Sequence, residues 1–267
     1  MQKLIALASA CFLALGLMAG CGPVGSLARR PAYQSSELQF QTPQADAPVA
    51  VFHTTKGDIK AVLYPEQAPM AVENFTQLAQ QGYYNNTSFH RIMQDFVVQG
   101  GDATGTGTGG STIWNNNPYP KEISDALHHY SGALCAAFSP DDSVSGMSQF
   151  YFVQSPAEKL GSDLRTQLEE AGTRTEVLEA YDAVGGLAYL DYTDTVFGQV
   201  YEGMEVVDSI AQTPVDENGK PTQEVLVESI TITTYGQADQ AAGSEGDAAS
   251  ADSAPASSGF QAASSSQ

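Results

Sequence analysis

Residues Phe89–Asp102 read FHRIMQDFVVQGGD, and this stretch decides the interpretation of the whole chain. It places an arginine, an aromatic ring and a glutamine (Arg91, Phe96 and Gln99) along a run without helical periodicity, which predicts a strand. The arginine side chain stays charged in proteins, and lysine does not replace its planar fork of donors where geometry matters. Taken alone, the stretch allows two interpretations: an edge strand with a surface arginine, or a strand that carries a site.

The residues before this stretch predict a hairpin and a helix. Two short apolar runs, 49–55 and 59–64, are separated by the Lys-Gly-Asp sequence at 56–58, which is a hairpin signal. Pro69 then stands at a predicted helix start, an apolar face follows at helical spacing, and Gly82 is placed to end the helix.

Further apolar runs predict the rest of the sheet. The predicted strands are Thr87–Gln99, Gly132–Phe138, Gln149–Gln154, Asp194–Tyr201 and Val225–Tyr235, and a second short helix is predicted around Met204–Ile210. Many strands with only two helices indicate an all-β fold with capping helices, in the form of a closed antiparallel barrel whose ends are covered.

One segment between the strands has helical character. Ser155 and Thr173 are each followed three residues later by a glutamate, which is the pattern of a capping box at a helix start. Apolar residues at helical spacing follow each pattern. We therefore interpret residues 155–184 as two amphipathic helices that end at Gly185-Gly186, and an irregular loop is the alternative.

The beginning of the chain has the composition of an export signal. Residues 4–18 are apolar and uncharged and follow Lys3, but the run is shorter than the roughly 20 residues of a membrane span. Residues 1–20 are therefore predicted to be a secretory signal. Residues 17–21 resemble the lipobox of bacterial lipoproteins, which makes Cys21 the predicted lipidation site. The alternative is a plain signal peptide with an incidental cysteine.

The rest of the chain divides into three parts. Residues 21–48 carry no hydrophobic period and are predicted to be a flexible tether. Residues 49–236 are the predicted folded domain, with the helical insertion at about 155–186. Residues 237–267 are mostly Ala, Ser, Gln and Gly, and are predicted to be a disordered tail because they offer too little apolar surface to bury.

Charge and composition exclude several functions. The 267 residues contain 11 Lys and Arg against 31 Asp and Glu, a net charge of −20, which disfavours nucleic-acid binding. The four histidines lack helical zinc spacing, so no metal is expected. Residues 105–110 fit G-x-G-x-x-G, but no helix pattern follows, and a flexible loop beside a groove is predicted in place of a dinucleotide site. No cofactor is expected, and Cys135 is predicted to be buried and structural.

Together, these segments resemble one family, the cyclophilins, which are peptidyl-prolyl cis–trans isomerases. The resemblance runs from about Val49 to Tyr235. It rests on Ala68–Tyr84, Phe89–Asp102, Gly105–Gly110, Gly146–Phe152, Leu190–Val200 and Glu202–Ile210, in chain order. The family fold is an eight-stranded antiparallel barrel capped by two helices, in agreement with the strand pattern, and residues 155–186 lie outside the short family form.

The resemblance implies roles for individual residues. Arg91 matches the catalytic arginine, which donates to the prolyl nitrogen once the amide loses resonance, and Gln99 matches the residue that holds the peptide carbonyl. The proline pocket is implied to be lined by Phe96, Val97, Tyr151 and Leu190. The other matched substrate-binding positions are Ala137, Phe138, Gln149, Tyr189 and Asp194.

Two departures from the family pattern affect the expected site. Phe138 replaces a frequent asparagine, and Asp194 replaces a histidine that lines the pocket in many members. The second change places an anion beside the pocket, so basic residues flanking proline are expected to be favoured. The resemblance also implies cyclosporin binding, and Asp194 is the change that bears on its affinity.

Two functions from different classes remain open at this point. The first is a lipid-anchored isomerase that assists the folding of exported, proline-containing polypeptides at the outer face of the cytoplasmic membrane. The second is a membrane-anchored chaperone or binding module that docks proline peptides and turns over poorly. The retained Arg91 favours the first, whereas Asp194 and Phe138 favour the second. A solute-binding lipoprotein would need an α/β pattern that the sequence does not have.

Overall fold

The computed structural model describes residues 33–139, 142, 144–157 and 161–238. The predicted signal peptide, Cys21 and nearly all of the predicted tail lie outside these residues. Within the described part of the chain, no helix is long and apolar enough to cross a membrane.

One antiparallel sheet of nine strands forms the fold. Its strands are β1 Pro48–Thr54, β2 Gly57–Leu63, β3 Thr87–Ser88, β4 Arg91–Met93, β5 Val97–Gly100, β6 Ala133–Ala136, β7 Phe150–Val153, β8 Val196–Glu202 and β9 Leu226–Thr234. They pair in the order β3-β9-β1-β2-β8-β6-β7-β5-β4, with every ladder antiparallel. The predicted all-β class is confirmed. The structure has nine strands where eight were predicted, because the run 87–93 forms two short strands, β3 and β4.

The two end strands of the sheet, β3 and β4, are neighbours in the chain. β3 pairs with β9 and β4 pairs with β5, so the single run 87–93 pairs with both ends of the strand order. The sheet is therefore strongly curled. Counted separately, β3 and β4 make a curled nine-stranded sheet, and the closed eight-stranded barrel predicted from the sequence is not confirmed.

The predicted strand Thr87–Gln99 is three strands with a tight turn between the last two. Asp95 has a left-handed φ of 61°, and the backbone amide of Phe96 donates to the carbonyl of Met93 at 3.1 Å. Aspartate tolerates this conformation better than most residues do. The turn reverses the chain, so β4 and β5 become antiparallel neighbours.

Alternating side chains give the sheet two apolar faces. The main core contains Phe52, Phe150 and Phe152 from the strands and Phe75 from the first helix. A second cluster lies on the opposite face of the same strands, because Tyr151 and Phe152 are consecutive and must point in opposite directions. Cys135 is fully buried in this second cluster, as predicted.

Two helices pack against the main core, as the sequence predicts. Helix α1 is Pro69–Gln80, and helix α4 is Met204–Ala211. The start of α1 has no cap from its own sequence. Instead, the carboxylate of Glu122 accepts hydrogen bonds from the amides of Met70 and Ala71 at 3.0 and 2.9 Å. A negative group at a helix N-terminus is favourable because of the helix dipole.

The insertion contains two helices, as predicted; the first described helix begins later than the pattern at Ser155 indicates, and the second begins within two residues of Thr173. Helix α2 is Ser162–Glu170 and helix α3 is Thr175–Val184. Helix α3 has Arg174 as its N-cap and no side-chain cap, so the capping box predicted at Thr173 is wrong. Glu158, the second residue of the box predicted at Ser155, lies outside the described residues. Helix α3 ends before Gly185, whose φ of 81° suits glycine, and the predicted end is confirmed.

Part of the predicted tether packs against the domain. Gln39 lies in a 3₁₀ turn, Leu38–Phe40, and its side-chain amide donates to the carbonyl of His128 and to Gln199 at 2.9 Å each. The buried carboxylate of Glu37 accepts two hydrogen bonds from the guanidinium of Arg174, the residue before α3, at 2.6 and 2.9 Å. The described residues from 33 onward are therefore part of the packed structure.

Candidate active site

Arg91 and Gln99 face each other across the β4–β5 ladder. The two residues are direct partners in the register, and a guanidinium nitrogen of Arg91 donates to Oε1 of Gln99 at 3.1 Å. The turn between the strands also brings the ring of Phe96 to 5.7 Å from the Arg91 guanidinium carbon. Arg91 is only partly buried, so it presents a positioned cation at the surface.

Gln99 and Gln149 continue this chain of hydrogen bonds toward the glycine loop. Nε2 of Gln99 donates to Oε1 of Gln149 at 2.9 Å. Nε2 of Gln149 in turn donates to the carbonyls of Gly107 and Gly109 at 3.0 and 2.7 Å. A side-chain amide has two N–H donors, so Gln99 keeps one donor beyond its bond to Gln149.

The carboxylate of Asp102 organises the glycine loop. It accepts hydrogen bonds from the backbone amides of Thr104, Thr106, Gly107 and Gly109, at 2.7 to 3.1 Å. Burial acts to raise the pKa of Asp102, but these hydrogen bonds outweigh it and lower the pKa below its usual range. A Cβ at Gly109 would overlap this carboxylate. The loop predicted to be flexible is therefore held in one arrangement.

An apolar cluster lies beside this polar row. Gln99 of β5 pairs with Tyr151 of β7, which in turn pairs with Cys135 of β6. Five of the predicted substrate-binding residues belong to the cluster on this face of the sheet: Phe96, Val97, Ala137, Tyr151 and Leu190. The structure therefore brings the residues predicted to line the proline pocket together next to Arg91 and Gln99.

Asp194 lies at one edge of this cluster and has two partners. The hydroxyl of Tyr151 donates to one carboxylate oxygen at 3.0 Å, and the ammonium of Lys121 lies 3.4 Å from the other. The same ammonium lies 5.3 Å from the ring centre of Phe138, within the range of a cation–π contact. Sequence reasoning missed Lys121 because it is far from both residues along the chain.

Tyr189 is the predicted site residue that the described contacts do not join to the pocket. It lies in the 3₁₀ turn Ala188–Leu190, next to Leu190, and the residue is 56% exposed. Tyr189 lies at the edge of the apolar cluster only because the next residue, Leu190, packs against that cluster. Cys21, the predicted lipidation site, lies outside the described residues.

His90 lies directly beside the catalytic candidate and was not assigned a role from the sequence. Its side chain is buried, with the ring against Gly107 of the glycine loop. Burial lowers the pKa of His90, although Asp102 and Gln149 act in the opposite direction. Burial thus favours the neutral form of His90, and no buried positive charge is placed beside the guanidinium of Arg91.

A buried polar network lies behind the pocket. Asp191 accepts hydrogen bonds from the rings of His128 and His129, at 2.8 and 3.1 Å, and from the hydroxyl of Tyr181 on α3. Burial acts to raise the pKa of Asp191, but the histidine hydrogen bonds prevail and lower it to about 2. The ring of His129 also stacks on Tyr151, with centroids 6.5 Å apart, so the network reaches the pocket wall.

Among the described residues, no group of three or more His, Cys, Asp or Glu side chains could hold a metal ion. The site instead consists of a cation, amide groups and an apolar cluster. This arrangement can bind a peptide carbonyl, receive an apolar ring and place a hydrogen-bond donor beside an amide nitrogen. It has no paired nucleophile and base.

Comparisons with known proteins agree with this geometry. The family model described as cyclophilin type peptidyl-prolyl cis-trans isomerase matches residues 49–232. A relative from Staphylococcus saprophyticus, which bears the name of a peptidyl-prolyl cis-trans isomerase, is 40% identical over 182 residues, which are 68% of this chain and 90% of the relative. A relative of the same name from Staphylococcus aureus is 37% identical and covers 73% and 96% of the two chains.

A solved structure is similar in fold. It is the cyclophilin type peptidyl-prolyl cis-trans isomerase of Cryptosporidium parvum, crystallised in the presence of the dipeptide Ala-Pro. The match has a TM-score of 0.56 and 28% identity, and it covers 70% of this chain and 99% of that chain.

Proposed function

The chain belongs to the cyclophilin-type peptidyl-prolyl cis–trans isomerases, and from that premise we propose that it isomerises prolyl bonds of exported polypeptides at the outer face of the cytoplasmic membrane. The observation that carries the assignment of the site is the cross-strand pair of Arg91 and Gln99 beside the apolar cluster.

The chemistry required of the site follows from the peptide bond. Amide resonance imposes a barrier of about 18–20 kcal/mol on rotation. The cis and trans forms of a prolyl bond nonetheless differ by only about 0.5–1 kcal/mol, so the reaction is slow for kinetic reasons. A catalyst has to bind the twisted amide more tightly than either planar form, and it needs no nucleophile.

We assign the proline ring to the apolar cluster and the polar atoms of the amide to the adjacent row. In this arrangement, the remaining donor of Gln99 holds the peptide carbonyl. The guanidinium of Arg91 donates to the prolyl nitrogen, whose lone pair becomes available only when the amide twists out of plane. This hydrogen bond exists in the transition state and not in the planar ground states, so it lowers the barrier.

The positions of the supporting residues are consistent with these roles. Gln99 and Phe96 restrict the Arg91 side chain, so little of its freedom has to be lost at the moment of reaction. Asp102 fixes the glycine loop, whose carbonyls orient Gln149 and through it Gln99. The apolar cluster is also the place where we expect cyclosporin to bind, in competition with the proline peptide.

The proposed location rests on the sequence of residues 1–21. A secretory signal that ends in a lipobox would anchor the mature chain through Cys21, and residues between the anchor and the domain would let the site reach newly exported chains.

Two measurements test the proposal. The first is an isomerisation assay of the purified protein on a neutral proline peptide and on the refolding of a protein limited by prolyl isomerisation. Turnover in both supports the enzyme, whereas binding of proline peptides with negligible turnover supports the chaperone or binding-module alternative. The second is fractionation of the expressing cells. We expect the protein in the membrane fraction and accessible to protease from outside.

A further inference from the structure

Lys121 lies at the edge of the candidate groove, between two residues predicted to contact substrate. Its ammonium is 3.4 Å from the carboxylate of Asp194 and 5.3 Å from the ring centre of Phe138. The side chains of Lys121 and Asp194 are 21% and 22% exposed, so both charges are partly accessible to solvent.

Neighbouring residues hold the pair together. The backbone amide of Glu122 donates to the hydroxyl of Thr195 at 2.8 Å, which ties the residue after Lys121 to the residue after Asp194. The carboxylate of Glu122 is itself fixed at the start of helix α1. The hydroxyl of Tyr151 holds the other oxygen of Asp194 from the pocket side. The lysine therefore occupies a defined position.

The charge of the pair matters because the chain is strongly acidic. With a net charge of −20, an unpaired carboxylate at the pocket edge would add to a field that already repels acidic peptides. Lys121 cancels this local charge. The other cation of the site, Arg91, is bonded to Gln99 on a different strand pair.

We propose that Lys121 is a specificity-determining residue, which neutralises Asp194 so that the groove accepts proline flanked by either acidic or basic residues. The inference rests on the proposed function of the site. It goes beyond that function by stating which charges the site accepts next to proline in its substrate polypeptides. It replaces the simple preference for basic residues that follows from Asp194 considered alone.

The test uses sets of three peptides that are identical except for one residue next to proline, which is Lys, Gln or Glu. One set varies the residue before proline and the other varies the residue after it. kcat/KM is measured at low and high salt for the wild type, Lys121→Met, Asp194→Asn and the double variant. Lys121→Gln is a second neutral replacement that keeps a polar side chain. Lys60→Met is the matched control, because Lys60 forms a comparable ion pair with Glu202, at 3.1 Å, on the β2–β8 strand pair outside the site.

The ratio of kcat/KM for the Lys peptide to that for the Glu peptide reports the preference within each protein. We expect it to rise about two- to fivefold in Lys121→Met and to fall by a similar factor in Asp194→Asn, as for a partly exposed charge pair. The double variant should return toward the wild-type ratio. High salt should reduce both shifts, because the Debye length is about 8 Å at 0.15 M.

Three outcomes would overturn the proposal. They are a ratio that stays constant in both single variants at both flanks, a ratio that shifts in the same direction in both, and an equal shift in Lys60→Met. In each case, turnover of the Gln peptide by the wild type would show that the protein is an isomerase and that only the role of Lys121 is wrong. Absence of turnover with all three peptides would instead remove the proposed function, and this inference with it.

Discussion

The hydroxyl of Tyr181 lies 2.8 and 2.9 Å from the two carboxylate oxygens of Asp191 and donates to that carboxylate. Tyr181 belongs to helix α3 of the insertion, whereas Asp191 directly follows Leu190 of the apolar cluster. The contact joins the insertion to the segment that carries three candidate site residues, Tyr189, Leu190 and Asp194. The insertion is thus a support for the pocket wall.

The first prediction concerns this support. Tyr181→Phe should raise KM for a proline peptide more than it lowers kcat, because the pocket segment loses a positioning contact while Arg91 and Gln99 are untouched. The free energy of unfolding should fall by about 1.5–3 kcal/mol, as expected for one buried hydrogen bond to a charged group. Steady-state kinetics and urea unfolding measure the two effects.

Tyr130→Phe is the matched control for this variant. Tyr130 packs against Tyr181 in the same cluster, with ring centroids 4.6 Å apart, but its hydroxyl contacts Glu37, at 3.5 Å. We expect a loss of stability with unchanged KM. An equal KM in Tyr181→Phe and the wild type would show that the insertion does not position the pocket.

The second prediction is a pH dependence of stability that comes from Asp191. Burial acts to raise the pKa of Asp191, but the hydrogen bonds from His128 and His129 outweigh burial and lower the pKa from 3.8 to about 2 in the folded protein. A carboxyl with a lowered folded pKa stabilises the protein fully above about pH 4, and this contribution is lost as the pH falls toward the folded pKa. The shift corresponds to about 2 kcal/mol.

Unfolding by urea between pH 6 and pH 2.5 measures this contribution. Asp102 also has a lowered pKa and adds to the slope in the wild type, so Asp191→Asn is needed to separate the two. The variant should be less stable at pH 6 and should lose less stability on acidification. Parallel curves for the two proteins would show that Asp191 does not contribute in this range.

The sequence predicts most strands because their apolar residues are local and regular. The run Thr87–Gln99 shows the limit of this reasoning. Its composition is that of one strand, but the left-handed backbone at Asp95 turns the chain within it. That turn creates the pairing of Arg91 with Gln99, so the central contact of the site depends on a conformation that residue periodicity does not reveal.

The start of helix α2 and the neighbours of Asp194 could not be predicted, for different reasons. The pattern at Ser155 satisfies a capping box, but Ser155 is buried after β7 and helix α2 begins only at Ser162. Lys121 and Asp194 are far apart in the chain, and no local pattern relates them. Such contacts are set by the packing of the whole domain, whereas capping and periodicity are local.

The third prediction concerns the membrane anchor. Cys21→Ser should move the protein from the membrane fraction to the soluble fraction or block its processing, because lipid attachment requires the thiol. In the lipoproteins that the lipobox resembles, this cysteine carries a diacylglyceryl group through a thioether. Its two acyl chains hold a protein on a membrane where a single chain exchanges. A mature N-terminus beyond Cys21 without lipid, found by mass spectrometry, would contradict the anchor and leave the enzymatic assignment unaffected.

The fourth prediction concerns Arg91. Arg91→Ala should lower kcat/KM for a neutral proline peptide by about 10²-fold or more, the usual effect of removing one preorganised donor to a transition state. Arg91→Lys keeps the charge but loses the planar fork that contacts Gln99, so it should recover only part of the activity.

Stability separates a catalytic role of Arg91 from a structural one. The side chain is partly exposed and has no carboxylate partner among its described hydrogen bonds, so its removal should leave the thermal midpoint nearly unchanged. The matched change Arg174→Ala should do the reverse. It removes the double hydrogen bond to the buried carboxylate of Glu37 and should lower the thermal midpoint while kcat/KM stays near the wild-type value. Undiminished turnover in Arg91→Ala would remove the arginine from the mechanism, and the donor to the prolyl nitrogen would then have to be sought elsewhere in the site.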